Sequence, residues 1–261
     1  MTAMPVSIII PTLNEAGQLG HTLNQVEILD PPAAEVIVVD GGSTDATLAI
    51  ASVHGCQVVP MERAGRSVQM NQGAALARGG ILCFLHADTL VPSDLVLLMQ
   101  ATLADPAISC GGFVSLMRGA RRTRWGISLH NALKTHYAAL LFRPHRYLLN
   151  GFRVLFGDQV MFCRRADFQR CGGFDASLPI MEDADLCVRL GRLGRIRQVN
   201  RVVESSDRRV ARWGTWKATG IHLAIGLLWG LGVPAVRLKR LYGNQRPNDD
   251  RREQLPFSAQ S

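Results

Sequence analysis

The sequence lacks the features that mark zinc-binding, disulfide-rich and nucleic-acid-binding proteins. Its 6 cysteines form no Cys-x-x-Cys pair and no zinc-finger spacing. Scattered cysteines of this kind fit a reducing compartment and small buried side chains. Aromatic residues make up only 6% of the chain, without an aromatic-rich RNA-binding signature, so nucleic acid is not an expected partner. No internal repeat is present.

The N-terminus also lacks a basic region followed by a long apolar run, so we expect no cleaved signal peptide and a cytoplasmic protein. The charge balance is uneven: Lys and Arg number 29 against 21 Asp and Glu, and the formal net charge is +8. A surplus of this size fits an anionic substrate, an anionic membrane face or a solvated basic surface.

Short apolar runs alternate with helical spacing through the first half of the chain. With 261 residues and 47% hydrophobic composition, one sizeable core is expected. The pattern predicts strands at 6–10, 35–39, 57–60 and 81–85, with helices at 15–29, 48–53, 68–77 and 92–103. Strands separated by helices predict an α/β, mainly parallel, doubly wound sheet. Later elements are a strand at 110–117 that could be antiparallel, a helix through 186–193 and a last strand at 196–203.

The starts of three helices carry polar residues that are typical N-caps. Asn14 is predicted to cap the first helix, Ser43 or Thr44 the second, and Ser93 the helix that follows Pro92. These residues offer side-chain oxygens to backbone N–H groups that would otherwise lack a partner.

Two predicted strands end in an aspartate. Asp40 precedes Gly41 and Gly42, and glycines let the backbone turn tightly or approach a ligand. Asp88 follows the strand at 81–85, and open α/β sheets bind ligands at this edge. A carboxylate there suits a divalent cation. The alternative is that Asp88 only caps the next turn.

Two further motifs precede or begin predicted helices. Arg66 comes just before the helix at 68–77, where a guanidinium and free N–H groups suit a phosphate; a plain surface arginine is the alternative. Glu182 and Asp183 lie near a helix N-terminus, whose dipole stabilises the carboxylate form that a general base requires. Ordinary acidic capping explains the same pattern.

The C-terminal part has a long uncharged stretch between Lys217 and Arg237. Its length is close to the roughly 20 residues of a membrane-spanning helix, but glycines, His222 and Pro234 favour a buried helical pair or an in-plane helix. We expect three units: residues 1–205 as the main domain, 206–243 as a helical, membrane-associated segment, and 244–261 as a disordered tail. The weak pattern at 118–156, with helical spacing at 127–141, suggests a mobile insertion that faces the acceptor.

Several motifs occur together in one order. They are Pro11-Thr12-Leu13-Asn14-Glu15, Asp40-Gly41-Gly42-Ser43-Thr44-Asp45, Arg66, His86-Ala87-Asp88, Gly172-Gly173-Phe174-Asp175 and Glu182-Asp183. The ordered set resembles the family 2 glycosyltransferases over roughly residues 6–203. With His86–Thr89 and the arginine-rich segment at 206–209, the chain looks most like a bacterial branch described as arsenosugar-biosynthesis-associated glycosyltransferases.

The resemblance implies a GT-A (Rossmann-like) fold, a nucleotide-diphosphate sugar donor, a divalent cation (Mn²⁺ or Mg²⁺) and inversion at the anomeric carbon. It implies that Asp183, with Glu182 beside it, deprotonates the acceptor hydroxyl, and that Asp88, with His86, holds the metal. The residues expected to bind the nucleotide sugar are Pro11, Thr12, Asn14, Glu15, Asp40, Gly41, Gly42, Arg66, Ala87, Asp158, Arg208 and Arg209.

The chain departs from the family pattern at His86, where an Asp-x-Asp motif would have its first aspartate. Imidazole binds manganese, whereas magnesium prefers oxygen, so a metal role for His86 stays open. Arg209 stands where the Gln-x-x-Arg-Trp motif of processive synthases has glutamine, and polymer synthesis is not inferred.

The acceptor is expected to be a lipid or a small molecule, with an anionic membrane surface as a further partner. The protein would then be cytoplasmic and peripheral at the cytosolic face of the plasma membrane. Two alternatives remain at this point: a non-catalytic nucleotide-sugar-binding subunit and a nucleotidyltransferase. The latter usually has a glycine-rich phosphate loop with a lysine near the N-terminus, where this chain has Pro11–Glu15.

Overall fold

A computed structural model describes residues 4–62, 65–118, 135, 148, 153–206 and 215–242. The helix predicted at 127–141 lies almost entirely outside these residues. Arg208, Arg209 and the tail predicted to be disordered lie wholly outside them. These interpretations therefore stay predictions from the sequence.

One mixed sheet organises the described residues. Its strands are β1 (Val6–Thr12), β2 (Glu35–Asp40), β3 (Gln57–Pro60), β4 (Ile81–Phe84), β5 (Thr89–Leu90), β6 (Ile108–Arg118), β7 (Met161–Arg164) and β8 (Arg195–Ser206). Their order across the sheet is β3-β2-β1-β4-β7-β6-β8-β5. Strands β1 to β4 are mutually parallel, β7 is antiparallel to both β4 and β6, and β8 is parallel to β6. The prediction of a mainly parallel α/β sheet is confirmed, and the strand predicted at 110–117 is indeed antiparallel to a neighbour.

Helices cover both faces of this sheet. They are α1 (Ala16–Glu27), α2 (Thr47–Val53), α3 (Arg66–Leu76), α4 (Leu95–Leu103), α5 (Arg165–Arg170), α6 (Glu182–Leu190), α7 (Thr215–Gly230) and α8 (Ala235–Tyr242), with a 3₁₀ turn at Gly157–Gln159. Alternate residues of a strand point to opposite faces. Ile8 and Ile10 of β1 accordingly pack with α1, α2 and α4, whereas Ile9 packs with α3, α5 and α6.

The predicted N-caps are wrong at all three helices, because other groups satisfy the helix starts. Asn14 makes no capping hydrogen bond to α1, and Ser93 makes none to α4. At α2 the capping oxygen belongs to Asp45, whose Oδ1 accepts from the Thr47 N–H at 3.0 Å. The same carboxylate reaches across to α1, where Oδ2 accepts from the Ala16 N–H at 3.1 Å. Neither Ser43 nor Thr44 caps α2.

The C-terminal helices α7 and α8 contact each other, and Trp229 of α7 packs against the apolar cluster on the α3 and α6 face. The pair is partly buried: Ile225 and Leu238 are 4% and 1% exposed, whereas Leu231 between the helices is 75% exposed and Val236 is 64% exposed. Within the residues that the structure describes, no helix combines the length and apolar character needed to cross a membrane.

Candidate active site

The ends of β1 and β2 meet around the carboxylate of Asp40, which is 1% exposed. Its Oδ1 accepts hydrogen bonds from Thr12 Oγ1 at 3.0 Å and Ser43 Oγ at 2.5 Å. Its Oδ2 accepts from the N–H groups of Gly42 at 3.0 Å and Ser43 at 2.7 Å. Gly42 has φ 93°, a conformation that favours glycine. Asp40 therefore fixes the loop of glycines after β2 at the edge where ligands bind.

The loops that follow β1 and β2 are also tied to each other. The Asn14 N–H donates to Ser43 Oγ at 2.8 Å, and Asn14 Oδ1 accepts from the Thr44 N–H at 2.8 Å. The Glu15 N–H donates to Thr47 Oγ1 at 2.9 Å. The structure thus brings the predicted residues Thr12, Asn14 and Glu15 together with Asp40. Pro11 lies one residue earlier in β1 and pairs with Val39, while the Gly41 N–H donates to the Thr12 carbonyl.

Helix α3 is fixed to this edge through Gln69, a residue that the sequence did not identify. Its Nε2 donates to the carbonyls of Thr12 and Val39, each at 2.8 Å, and its Oε1 accepts from the Gly65 N–H at 3.2 Å. Gln69 is 4% exposed. Because Gly65 directly precedes Arg66, this amide sets where the first residue of α3 begins. The sequence predicted that Arg66 lies just before this helix. In the structure it is instead the first residue of the helix.

Arg66 forms an ion pair with one carboxylate, and the charges of two further carboxylates act on its guanidinium. Its Nη1 donates to Glu182 Oε1 at 3.3 Å. Desolvation lowers the pKa of Arg66, but the charges of Glu182, Asp183 and Asp88 together raise it above its usual value. The three carboxylates belong to the end of β4 and the N-terminus of α6, and the direct ion pair is that of Arg66 with Glu182. Glu182 is 6% exposed, whereas Asp183 is more accessible.

The predicted metal motif lies directly after β4. The Ala87 carbonyl accepts from Thr22 Oγ1 of α1 at 2.8 Å, and the Asp88 carbonyl accepts from the Ser206 N–H at 3.3 Å. These bonds fix the backbone on both sides of Asp88. In the antiparallel register of β4 with β7, Phe84 pairs with Met161. The 3₁₀ turn that contains Asp158 ends one residue before β7, and it contacts β6.

Two residues beside the site have a left-handed backbone that is uncommon for their types. Met181, immediately before Glu182, has φ 68°, and Val160, two residues after Asp158, has φ 50°. For a β-branched residue such as Val160 this conformation is a genuine outlier. Backbone strain persists only where the surrounding structure holds it, and it concentrates at functional sites. Both outliers thus mark the same edge of the sheet as the carboxylates.

The turn at residues 171–174 follows α5 in the chain, and hydrogen bonds hold it to both α3 and α6. Asn71 of α3 donates from Nδ2 to the Phe174 carbonyl at 2.8 Å and accepts from the Phe174 N–H at 2.9 Å. Arg189 of α6 donates to the carbonyls of Cys171 and Gly173 and binds Asp185. The helix that begins with Arg66 is thereby held against the helix that begins with Glu182. The glycines of the turn were part of the sequence motif, but the roles of Asn71 and Arg189 had no local signal.

Aromatic packing anchors this turn to the sheet. The Phe174 ring lies 4.9 Å from that of Phe84, the last residue of β4, in an edge-on arrangement. Phe168 packs on both rings, at 5.3 Å from Phe84 and 5.6 Å from Phe174. Such pairs stabilise by about 0.5–1.5 kcal/mol beyond their buried area. The contacts hold the end of β4, and hence Asp88, in a fixed relation to the turn.

The donor set at this edge is compatible with a cation that a substrate helps to bind, rather than with a cage made by protein alone. Among the described residues, no three His, Cys, Asp or Glu side chains come together as a metal cluster. Mg²⁺ in phosphate-transfer sites is usually held by one or two carboxylates together with substrate phosphates. Asp88 can supply such a carboxylate next to a guanidinium that suits phosphate.

The sheet order, the glycine loop after β2 and the acidic edge define a GT-A protein with a site for a phosphate-bearing ligand. Residues 7–169 match the family model described as Glycosyl transferase family 2. The chain belongs to this family and is a glycosyltransferase. This membership confirms the resemblance at the level of the family. It identifies the chain as a glycosyltransferase and not as the alternative, a nucleotidyltransferase.

Relatives in curated collections carry related names. A PGL/p-HBAD biosynthesis glycosyltransferase from Mycobacterium tuberculosis is 30% identical over 196 residues, which cover 72% of this chain and 70% of the relative. A glucosyl-3-phosphoglycerate synthase from Mycolicibacterium smegmatis is 30% identical over 126 residues, covering 45% of this chain and 40% of the relative.

Solved structures share the fold. A mannosyltransferase from Pyrobaculum calidifontis in complex with GDP-Man and Mn²⁺ has a TM-score of 0.66 at 21% identity, covering 95% of this chain and 67% of its own. Glucosyl-3-phosphoglycerate synthase from Mycobacterium tuberculosis with Mn²⁺, UDP and phosphoglyceric acid has a TM-score of 0.60 at 23% identity, covering 88% of this chain and 80% of its own.

Proposed function

We propose that the protein transfers a sugar from a nucleotide-diphosphate donor to a hydroxyl acceptor, with inversion at the anomeric carbon. One observation carries this proposal. Arg66 forms an ion pair with Glu182 at the start of α6, and the charges of Asp183 and of Asp88, at the end of β4, act on the same guanidinium. The proposed phosphate-binding guanidinium, metal-binding carboxylate and base therefore lie at the same edge of the sheet. The GDP-Man and UDP complexes of structures with this fold support a nucleotide-sugar donor.

The residues divide the chemistry between them. Asp183, the more accessible of the two carboxylates, takes the proton of the acceptor hydroxyl as its oxygen attacks the anomeric carbon. The bond from that carbon to the diphosphate oxygen breaks, and the nucleoside diphosphate leaves with the bonding electron pair. Arg66 stabilises the negative charge that develops on the leaving group. Glu182 is buried in its ion pair with Arg66 and orients the guanidinium.

The remaining predicted residues are assigned to donor binding. Thr12, Asn14, Glu15 and the Asp40–Gly42 loop would surround the nucleoside at the ends of β1 and β2. We also propose that Asp88 holds a divalent cation, with His86 as a second ligand where the ion is Mn²⁺. When bound with the donor, the cation supplies charge neutralisation at the diphosphate.

The base assignment is tested with Asp183→Asn, which keeps the size of the side chain but cannot accept the proton. Sugar release and transfer would be measured with UDP-, GDP- and dTDP-sugars in Mn²⁺ or Mg²⁺. We expect the rate to fall about 100-fold or more, since general base catalysis contributes roughly that much. Thermal stabilisation by the donor should be retained, because a ligand that binds the native state raises its stability.

The matched control is Asp30→Asn, which removes an exposed carboxylate before the start of β2, at the opposite end of that strand from Asp40, and should leave the rate unchanged. An Asp183→Asn rate equal to wild type would contradict the base assignment. Donor stabilisation of the wild type without any sugar release would instead support the non-catalytic nucleotide-sugar-binding subunit.

The acceptor is proposed to be a lipid or a small molecule, reached at the cytosolic face of the plasma membrane. Two features of α7 and α8 support a membrane surface. Leu223, Leu227, Leu231, Val236 and Leu241 are exposed apolar side chains along these helices. The described part of this segment, residues 215–242, contains four Lys or Arg and no Asp or Glu. Apolar and cationic side chains together favour anionic lipid.

Vesicle flotation tests the membrane proposal. The paired change Leu231→Ser and Val236→Ser should weaken binding to anionic vesicles about tenfold or more, because it removes two of the apolar contacts. Leu97→Ser with Val53→Ser is a matched control, since these side chains are 53% and 86% exposed but lie on α4 and α2. Equal flotation of all three proteins, or none by the wild type at low salt, would contradict the proposal.

The finer resemblance to the arsenosugar-biosynthesis-associated branch also stays a proposal. It depends on the His86–Thr89 sequence and on the arginine-rich segment at 206–209, most of which lies outside the described residues. The match to the family model covers residues 7–169 and supports membership in the family, but it does not distinguish one branch from another.

A further inference from the structure

Two buried side chains at the ligand-binding edge of the sheet use their hydrogen-bonding capacity within the protein. The first is Asp40, which accepts from Thr12 Oγ1, from Ser43 Oγ and from the N–H groups of Gly42 and Ser43. A carboxylate has about four sites at which it accepts a hydrogen bond, and it donates none. Asp40 is 1% exposed and has donors at all of these sites, so it offers a ligand neither surface nor a vacant oxygen site.

The second side chain is that of Gln69 in α3, which is 4% exposed. Its Nε2 donates to the carbonyls of Thr12 and Val39, and its Oε1 accepts from the Gly65 N–H. Both N–H bonds of this amide are therefore occupied. Two of the three partners lie near the ends of β1 and β2, and the third directly precedes Arg66.

These contacts form one continuous network along the edge. Thr12 joins the two side chains, because its hydroxyl donates to Asp40 while its carbonyl accepts from Gln69. From Asp40 the network reaches the glycine loop after β2, and from Gln69 it reaches the start of α3. The glycine loop is assigned to the nucleoside and Arg66 to the diphosphate. The network therefore connects the two ends of the proposed donor site.

We propose that Asp40 and Gln69 are positioning residues for the nucleotide and that neither side chain contacts the base. The inference rests on the proposed function, because it requires a nucleotide to bind at this edge. Asp40 holds the loop that surrounds the nucleoside, and Gln69 holds Arg66 against the diphosphate. Base recognition is then left to the exposed parts of the same loops, which include Asn14 and Gly42. The proposal differs from the expectation that Asp40 binds the nucleotide directly.

The first test is isothermal titration of the full chain with UDP, CDP and GDP in the presence of Mg²⁺. Asp40→Asn should weaken all three by the same factor, about tenfold, because the amide directs N–H groups at the former donors. A carboxylate that read the base would accept from the ring N–H group of uracil. Its amide would instead donate to the unprotonated ring nitrogen of cytosine, so the preference between UDP and CDP would reverse.

Ser43→Ala is a second variant, which keeps the result interpretable if Asp40→Asn does not fold. It removes one donor to Asp40 Oδ1 and leaves the carboxylate in place. It should also weaken the three nucleotides by a common factor, because the loop is held less firmly. A base-reading carboxylate with one oxygen freed would bind UDP at least as tightly as before.

Asp30→Asn is the matched control and should bind all three nucleotides like wild type, since this exposed carboxylate precedes β2. A changed preference between UDP and CDP in Asp40→Asn or Ser43→Ala would overturn the assignment of Asp40, as would the absence of any loss. Such results would leave the proposed function standing. Failure of the wild type to bind any nucleotide would instead refute the proposed function, and this inference with it.

Gln69 is tested by a double-mutant cycle with Arg66, again by titration with UDP. Gln69→Met keeps the length of the side chain but removes its hydrogen bonds, and it should weaken UDP about tenfold because Arg66 is no longer held. In the Arg66→Ala protein the same change should have little further effect, since the group that Gln69 positions is already gone. Equal factors in the two backgrounds would show only a general structural role and would overturn the assignment.

Two further variants complete this cycle. Gln72→Met changes an exposed glutamine of the same helix and should bind UDP like wild type. If Gln69→Met does not fold, Gln69→Glu takes its place, because it keeps the acceptor for Gly65 but loses the donors to the strand ends. The same dependence on Arg66 is expected for both substitutions of Gln69.

Discussion

Single residues in the turn at 171–174 determine how closely α3 approaches α6. Gly172 and Gly173 both have a left-handed backbone, with φ 84° and 67°. Their surroundings differ, since a Cβ on Gly173 would lie 2.8 Å from Asn71 Oδ1, whereas a Cβ on Gly172 would meet nothing within 4 Å. Both positions therefore favour glycine because of the left-handed backbone. Only at Gly173 would an added Cβ also clash with a neighbouring side chain.

Replacing each glycine by alanine separates the two requirements. Gly172→Ala should lower the free energy of unfolding by about 1 kcal/mol, the cost of a left-handed alanine. Gly173→Ala should cost about 1–3 kcal/mol more, because Asn71 must move and its hydrogen bonds to Phe174 weaken. Chemical denaturation measures both values.

The rate of sugar transfer adds a second readout for the same pair. Gly173→Ala should also slow transfer, since it displaces the turn that aligns Arg66 with Asp183, and Gly172→Ala should not. Equal losses of stability and rate in the two variants would show that the contact with Asn71 is unimportant.

Residue types alone identified the cleft only in part. Arg66, Asp88 and Asp183 were identified from an ordered set of short motifs, and in the structure the charges of both carboxylates act on the Arg66 guanidinium. Gln69 and Asn71 were missed because a polar residue inside a helix looks solvent-exposed until the neighbouring strand ends and turn are placed. Their function depends on partners 30 to 103 residues away.

At the scale of elements, α3 is the helix whose position matters most, because it starts with Arg66. It lies directly on the sheet at Gly73, where a Cβ would be 2.5 Å from Ile9 Cγ2 and 3.1 Å from Val39 Cγ2. Only glycine allows this separation. By contrast, a Cβ on Gly20 of α1 would have its nearest contact at 3.8 Å, from Ile50.

Alanine at these two helical glycines should therefore have opposite effects. Gly73→Ala should destabilise by about 1–3 kcal/mol through overpacking and slow sugar transfer by shifting α3. Gly20→Ala should be neutral or stabilise by up to about 1 kcal/mol, because alanine is the better helix former and the space is open. Thermal unfolding and initial rates measure the difference. A Gly73→Ala protein as stable and active as Gly20→Ala would refute close packing at this helix.

The first four strands followed well from the sequence, but the helix starts did not. Apolar runs located β1, β2, β3 and β4 within one or two residues, because burial on both faces of a parallel sheet demands such runs. Helix starts were misassigned because the capping groups come from tertiary contacts. Asp45 caps both α2 and α1, and no local rule links it to the residue Ala16 that lies 29 positions earlier.

For the molecule as a whole, the carboxylate of Glu35 makes the free energy of unfolding depend on pH. Glu35 at the start of β2 accepts hydrogen bonds from Ser7 Oγ at 2.6 Å and from the N–H groups of Arg78 at 2.6 Å and Gly79 at 3.3 Å. Burial raises the pKa of Glu35, but these hydrogen bonds lower it more, so the pKa lies below its usual value. The charged form thus joins β1, β2 and the connection to β4.

A lowered pKa gives this stabilisation a defined pH range. It is fully present above the unfolded-state pKa of about 4.3 and is lost as pH falls through the lower folded-state pKa. Glu35→Gln should cost about 1–3 kcal/mol at pH 7, because the N–H groups of Arg78 and Gly79 lose their charged acceptor. The difference from wild type should shrink between about pH 5 and pH 3, as denaturation curves across this range would show. A difference that does not change with pH would argue against the charge.

The sequence by itself determined the parallel half of the sheet, the order of the motifs and the family, since hydrophobic periodicity and motif order are properties of the chain read along its length. Tertiary structure alone decided how the site is built. It placed Glu182 in an ion pair with Arg66 and gave Gln69 and Asn71 their positioning contacts. These outcomes depend on which distant segments become neighbours, and a one-dimensional pattern does not specify distances between them.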